Sequence, residues 1–171
     1  HGVHVVVTPG WRYPRRGADG LPEGDEGPIA SGDRDGATTY LARLDYFEPA
    51  RGRDALSALR ALERAARHGR PCLLENHRDN FIGDPTTCQR SLDELDLLYR
   101  EALAQHPQLR FLSTAEVAAV LQRRDAQWLQ VGWRAGLKAR WSRLQDLGRA
   151  WTLMRWSGVA AIGGWVVRVV A

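Results

Sequence analysis

A four-residue apolar run, Pro71-Cys72-Leu73-Leu74, constrains this chain more than any other feature, because it opens straight into Glu75-Asn76-His77-Arg78-Asp79-Asn80. A buried strand that ends in a dense polar cluster is how α/β proteins carry reactive side chains to a pocket. The residues before it, 53–69, have the spacing of a helix that feeds the strand. Leu56, Leu59, Leu62 and Ala66 form its expected apolar face, Asp54 caps its start and Gly69 ends it.

The same rhythm extends along the chain. Val3-His4-Val5-Val6-Val7 is β-branched and closes at Thr8-Pro9-Gly10, so it reads as a strand. Residues 11–36 are rich in Gly, Pro, Asp and Arg without periodicity, and a loop of that length is usually functional or mobile. A second strand is expected over 38–47, stopped by Pro49. After the 71–74 strand comes a turn at Gly83-Asp84-Pro85. Ser91-Leu92-Asp93-Glu94 has capping-box spacing and is expected to open a helix that stops at Pro107. A short strand is expected at 109–112, and a second capping box, Ser113-Thr114-Ala115-Glu116, opens another helix. Strands alternating with helices argue for a mostly parallel sheet with crossover helices. Ligands of such folds bind beyond the carboxyl ends of the strands, where both the 75–80 cluster and Asp45 fall.

With 171 residues the chain has room for one ordinary domain with a core. Its net charge of +4 conceals a division: from Leu121 onward, nine basic residues face only Asp125 and Asp146, so the remainder is acidic. The expected boundary lies at 124/125, between an α/β part, 1–124, and a basic helical tail, 125–171. Cys72 and Cys88 make no disulfide framework, and Cys72 reads as a small buried hydrophobe. There is no signal peptide, and the chain opens on a strand pattern without an initiator Met, as expected of a piece of a longer protein.

In the tail, Trp133, Leu137, Trp141, Leu144, Leu147, Trp151 and Met154 recur at helical spacing as one stripe. Arg134, Lys138, Arg143 and Arg149 lie beside or opposite it, while Arg140 and Arg155 fall within it and must snorkel. Two readings stay open: an amphipathic helix over 126–156 lying on an anionic membrane, or tryptophans packing that helix on the body. Residues 159–171 are apolar but too short to span a bilayer, and Arg168 interrupts them. Nucleic acid is not expected as a partner, since no reader fold accompanies the charge.

Three segments carry a family resemblance. They are Tyr40-Leu41-Ala42-Arg43-Leu44-Asp45-Tyr46-Phe47-Glu48-Pro49, then Gly69-Arg70-Pro71 with Glu75-Asn76-His77-Arg78-Asp79-Asn80-Phe81, and finally Leu109-Arg110-Phe111-Leu112-Ser113-Thr114-Ala115-Glu116. Together they resemble the C-terminal half of polysaccharide deacetylase-like proteins, in the glycoside hydrolase/deacetylase superfamily, over residues 38–121. The resemblance implies a partial (β/α) barrel, here with the amphipathic tail helix added. It also implies a polysaccharide substrate from which acyl groups are removed, and a divalent, zinc-type metal in the full-length parent.

By the same resemblance His77 falls at the strand end that carries the general acid, and Asp45 where a tuning carboxylate lies. Arg12-Tyr13-Pro14 loosely resembles the family's Arg-Pro loop. The family's metal-binding half is missing: no early Asp motif and no His-x-x-x-His occur, and His1 and His4 are three apart in a strand, on opposite faces. The expected catalytic pair is therefore His77 and Asp45, with Arg12, Arg43, Arg78 and Asp79 as candidate sugar-binding residues and no metal ligand. Amide hydrolysis needs a proton for the leaving amine, and imidazole titrates near neutral pH. Glu48 reads as a loop residue, and His68 and His106 as helix-end residues. The alternative is a non-catalytic relative that keeps the scaffold and binds polysaccharide or membrane.

Overall fold

The computed structural model describes residues 3–12, 14–23, 26–129, 131–144 and 149–170. The chain divides into two compact units, His1–Arg67 with Pro71–Gln122, and His68–Arg70 with Arg123–Ala171.

The first unit is mixed α/β. Strand β1 (Val5–Thr8) is followed by four two-residue strands, β2 (Trp11–Arg12), β3 (Arg15–Arg16), β4 (Pro22–Glu23) and β5 (Gly27–Pro28). Next come β6 (Arg34–Asp35), β7 (Thr38–Ala42) and β8 (Asp45–Tyr46). Helix α1 (Ala55–Arg67), strand β9 (Leu74–Glu75), α2 (Pro85–Gln105) and α3 (Thr114–Arg123) complete it. β1 pairs in parallel with β7, and β9 in parallel with β8, while β6 runs antiparallel along β7. The expected 38–47 strand is thus broken at Arg43-Leu44 into two pieces that recruit different partners. Arg43 N–H reaches back to Thr8 and Leu44 N–H forward to Leu73. The β8–α1–β9 unit is the crossover that a parallel pair requires.

Three expectations change. Residues 11–36 form two short antiparallel ribbons, β2 with β5 and β3 with β4, rather than a structureless loop. Turn chemistry explains it: Asp19 accepts from the Leu21 N–H at 3.0 Å, and Gly20 takes a φ of 80° that suits glycine. Antiparallel pairings therefore outnumber parallel ones among the described residues. Residues 109–112 form no strand there either; Phe111 is exposed, and its ring meets Tyr99 edge-on. Among the described residues the largest sheet has three strands and no barrel closes.

The helices also differ in detail from their patterns. Ser91 lies inside α2, fully buried, and the N-cap is Asp84, which accepts from Thr87 N–H at 2.8 Å. Pro85 at the first helical position needs no donor, which moves the start upstream. Glu94, freed from the expected capping box, instead accepts the Ala55 N–H at the start of α1 (2.8 Å). The face α1 buries is Ala55, Ala58, Ala61 and Ala65, whereas Leu56 and Ala66 are exposed. Small side chains let α1 approach α2 closely, and leucines flank the contact. The core joins Phe47, Ala55, Ala58 and Leu98, with Leu59, Leu74, Phe81 and Leu95 packed on it. The Ser113–Glu116 capping box forms as expected, with each side chain accepting the other's backbone N–H.

The second unit contains α4 (Trp133–Leu144), α5 (Arg149–Trp156) and α6 (Val159–Val170), with α6 packed on both others. The expected single stripe is thus distributed over two helices, and Leu147 lies outside the described residues. Trp141 and Trp151 meet edge-on at 5.8 Å, and a side chain at Gly163 would strike the Trp141 ring. These two tryptophans pack helices of the unit together.

Candidate functional site

The polar residues of the site follow the break between β7 and β8 and the end of β9. Strand β8 ends at Tyr46 and passes through Phe47 and Glu48 into a single 3-10 turn, Pro49–Arg51. Glu48 and Arg53 close that turn with reciprocal backbone hydrogen bonds of 2.9 and 3.0 Å. Gly52 supplies the left-handed residue (φ 76°) that lets the chain double back. Beside it, β9 ends at Glu75 and passes through Asn76 and His77 into a second 3-10 turn, Arg78–Asn80. Two turns at the carboxyl ends of two parallel strands therefore face each other.

Asn80 ties them together. It is 1% exposed; its Oδ1 accepts from Ala50 N–H at 3.2 Å, and its Nδ2 donates to the His77 carbonyl at 2.8 Å and to Asn76 Oδ1 at 3.4 Å. One buried amide thus satisfies groups on both turns. The sequence placed Asn80 in the cluster without a role; an Asn three residues after the histidine, at the end of a turn, was the available signal.

His77 sits between two carboxylates. Its Nδ1 meets Glu48 Oε1, and its Nε2 lies 3.2 Å from Glu75 Oε1. Glu48 is 6% exposed, and Arg51 approaches the same oxygen at 3.3 Å. Tyr46 stacks near His77, with ring centroids 6.4 Å apart and planes at 23°. The imidazole is thereby fixed in orientation, with one edge still open to solvent.

These contacts differ from the expected pairing. Asp45 is held by Arg53 at 2.8 Å and Arg64 at 3.0 Å, while the carboxylate on His77 Nδ1 is Glu48. Strand alternation explains it, since Asp45 and Tyr46 point to opposite faces and Tyr46 is the residue on the His77 side. Glu48 looked like a loop residue because it precedes Pro49. That proline instead starts the turn that buries its carboxylate.

The other expected residues fall in different places. Arg43 pairs with Glu75 and lies over the Tyr46 ring at 4.4 Å, so it belongs to the cluster. Asp79 pairs with Arg51 at 3.2 Å on the exposed rim. Arg78 is exposed on the same turn, without a partner among the described residues. Arg12 lies over the Tyr40 ring at 5.4 Å, so its partner is on β7; Tyr13, its neighbour in the expected loop motif, lies outside the described residues. Burial pushes the Cys72 thiol up to about 11, with Asp45 adding to the effect and Arg64 opposing it, so it is unreactive at neutral pH.

The cluster does not suit a zinc-type ion. Guanidinium groups already occupy both carboxylates that flank His77. Among the described residues no group of three or more His, Cys, Asp or Glu side chains could hold a metal. What the arrangement can do is hold an imidazole between two carboxylates and present the exposed Arg78 and Asp79 beside it. No protein family, curated protein or solved structure matches this chain.

Proposed function

We propose that this chain is the C-terminal portion of a carbohydrate-active acyl hydrolase of the polysaccharide deacetylase type, contributing its proton-transfer half. The single observation that carries the reading is His77 held against buried Glu48 at the carboxyl ends of β8 and β9. The two parallel pairings and the β8–α1–β9 crossover support a partial (β/α) barrel as the parent architecture.

In this reading Glu48 accepts from Nδ1–H and sets the ring, and Nε2, which lies 3.2 Å from Glu75 Oε1, donates to the leaving group once the substrate displaces that carboxylate. As the amide C–N bond of an N-acetyl sugar breaks, the departing nitrogen takes a proton from His77, which recovers one from water. Arg43 balances Glu75 nearby, and Arg78 and Asp79 supply hydrogen bonds to sugar hydroxyls. The attacking water and any metal belong to residues upstream of this chain.

The test is acetate release from N-acetylated glycan by the full-length protein. His77→Ala is expected to lower it by roughly 10²–10⁴-fold while leaving the circular dichroism spectrum unchanged. Undiminished release would refute the assignment and leave a glycan-binding scaffold as the alternative.

A further inference from the structure

Helix α6 is apolar but for Arg168, a composition that in a soluble helix goes with near-complete burial. Here only one face is covered. Ala160, Gly163, Gly164 and Val167 are partly buried in the three-helix unit, and the two glycines receive the Trp141 ring. The opposite face, Val159, Ile162, Trp165, Val166 and Val169, is exposed, at the spacing of a single helical stripe. Leu153 and Trp156 of α5 add to the apolar surface; Trp156 is 87% exposed and Trp165 60%.

Charge selects the occupant. Residues 126–171 hold seven basic side chains and one acidic, Asp146. Arg155 and Arg168 are exposed on the same two helices as the apolar residues. No helix among the described residues is long and apolar enough to cross a membrane. At about 1.5 Å per residue, α6 is too short to span a hydrocarbon core and would lie flat. Tryptophan and aliphatic side chains facing outward, bordered by arginines, match an anionic lipid interface: the rings and branched chains enter the acyl boundary while guanidiniums meet headgroup phosphates.

We infer that the outer face of α5 and α6, centred on Trp156 and Trp165, seats this protein on an anionic membrane surface. This is a different surface from the Trp141–Trp151 stripe, which is spent inside the helical unit, and it does not depend on the hydrolase reading.

The experiment is co-sedimentation of the full chain with vesicles of phosphatidylcholine containing phosphatidylglycerol, and with phosphatidylcholine alone. Binding is expected only to the anionic vesicles. Trp156→Asp/Trp165→Asp is expected to weaken the partition coefficient at least about tenfold, and Arg155→Glu/Arg168→Glu to do likewise. Trp156→Ser, at the most exposed position, gives a partial loss without risk to the fold. Failure of the wild type to sediment with anionic vesicles, equal binding to neutral ones, or retention by both double variants would overturn the proposal. So would vesicle-independent self-association abolished by Trp165→Asp, which would assign the face to a second copy.

Discussion

At the residue scale the site depends on two side chains that carry no chemistry of their own. Glu48 is a buried carboxylate that two cationic or hydrogen-bonding partners approach, and Asn80 is a buried amide spanning two turns. Removing the Asn80 side chain leaves the Ala50 N–H without its acceptor and the His77 carbonyl with only the Asn80 backbone N–H, and an unsatisfied buried polar group costs about 1–3 kcal/mol. Asn80→Ala is therefore expected to lower unfolding stability by roughly 2 kcal/mol in urea titration. Asn80→Asp keeps the acceptor for Ala50 but loses the donor to His77, so it should disturb His77 more selectively. Wild-type imidazole chemical shifts in Asn80→Asp would contradict that role. Of these two residues, the sequence showed Asn80 only as one polar letter in a cluster. Glu48 was hidden because the burial of its carboxylate comes from the closed 48–53 turn, which no local pattern announces.

At the scale of elements, helix starts were the most legible feature and sheet pairings the least. Asp54 and the Ser113–Glu116 box cap their helices where the sequence puts them, because the bonds lie within one turn. Ser91 and Glu94 have the same spacing, yet Ser91 lies inside α2 and Glu94 accepts from Ala55 N–H, since a capping box holds no information about a proline six residues upstream. The β2–β5 and β3–β4 ribbons escaped notice because two-residue strands have no periodicity to read. Backbone N–H bonds hold the carboxyls of Asp54, Asp84 and Glu116 below their ordinary values of 3.8, 3.8 and 4.5. A depressed folded pKa contributes stability that is complete above the ordinary value and is lost as pH falls through the folded one. Carboxyl NMR titration should place all three midpoints below those values. The destabilisation caused by Asp84→Ala at pH 7 should correspondingly vanish at strongly acidic pH. A midpoint at or above the ordinary value for any of the three would contradict the capping geometry.

At the scale of the whole molecule, the sequence separates an α/β part from a basic helical part by charge and periodicity, and the structure has two compact units, His1–Arg67 with Pro71–Gln122 and His68–Arg70 with Arg123–Ala171. The parallel pairs follow from crossover logic, but barrel closure depends on strands that the described residues do not provide. The strand end at 75 and the polar cluster that follows it were legible because polar residues gather after an apolar run. The carboxylate that meets its histidine was not, because by sequence Asp45 is the expected partner and Glu48 a loop residue, and it is the 48–53 turn that brings Glu48 to His77. The central claim is that Glu48, and not Asp45, orients a proton-donating His77. The most direct measurement is acetate release from N-acetylated glycan by full-length Glu48→Gln and Asp45→Asn proteins, compared across pH. Glu48→Gln is expected to lose at least about tenfold in kcat and to alter the pH profile, while Asp45→Asn keeps the wild-type profile. The opposite outcome, a changed profile in Asp45→Asn with Glu48→Gln unaffected, would contradict it.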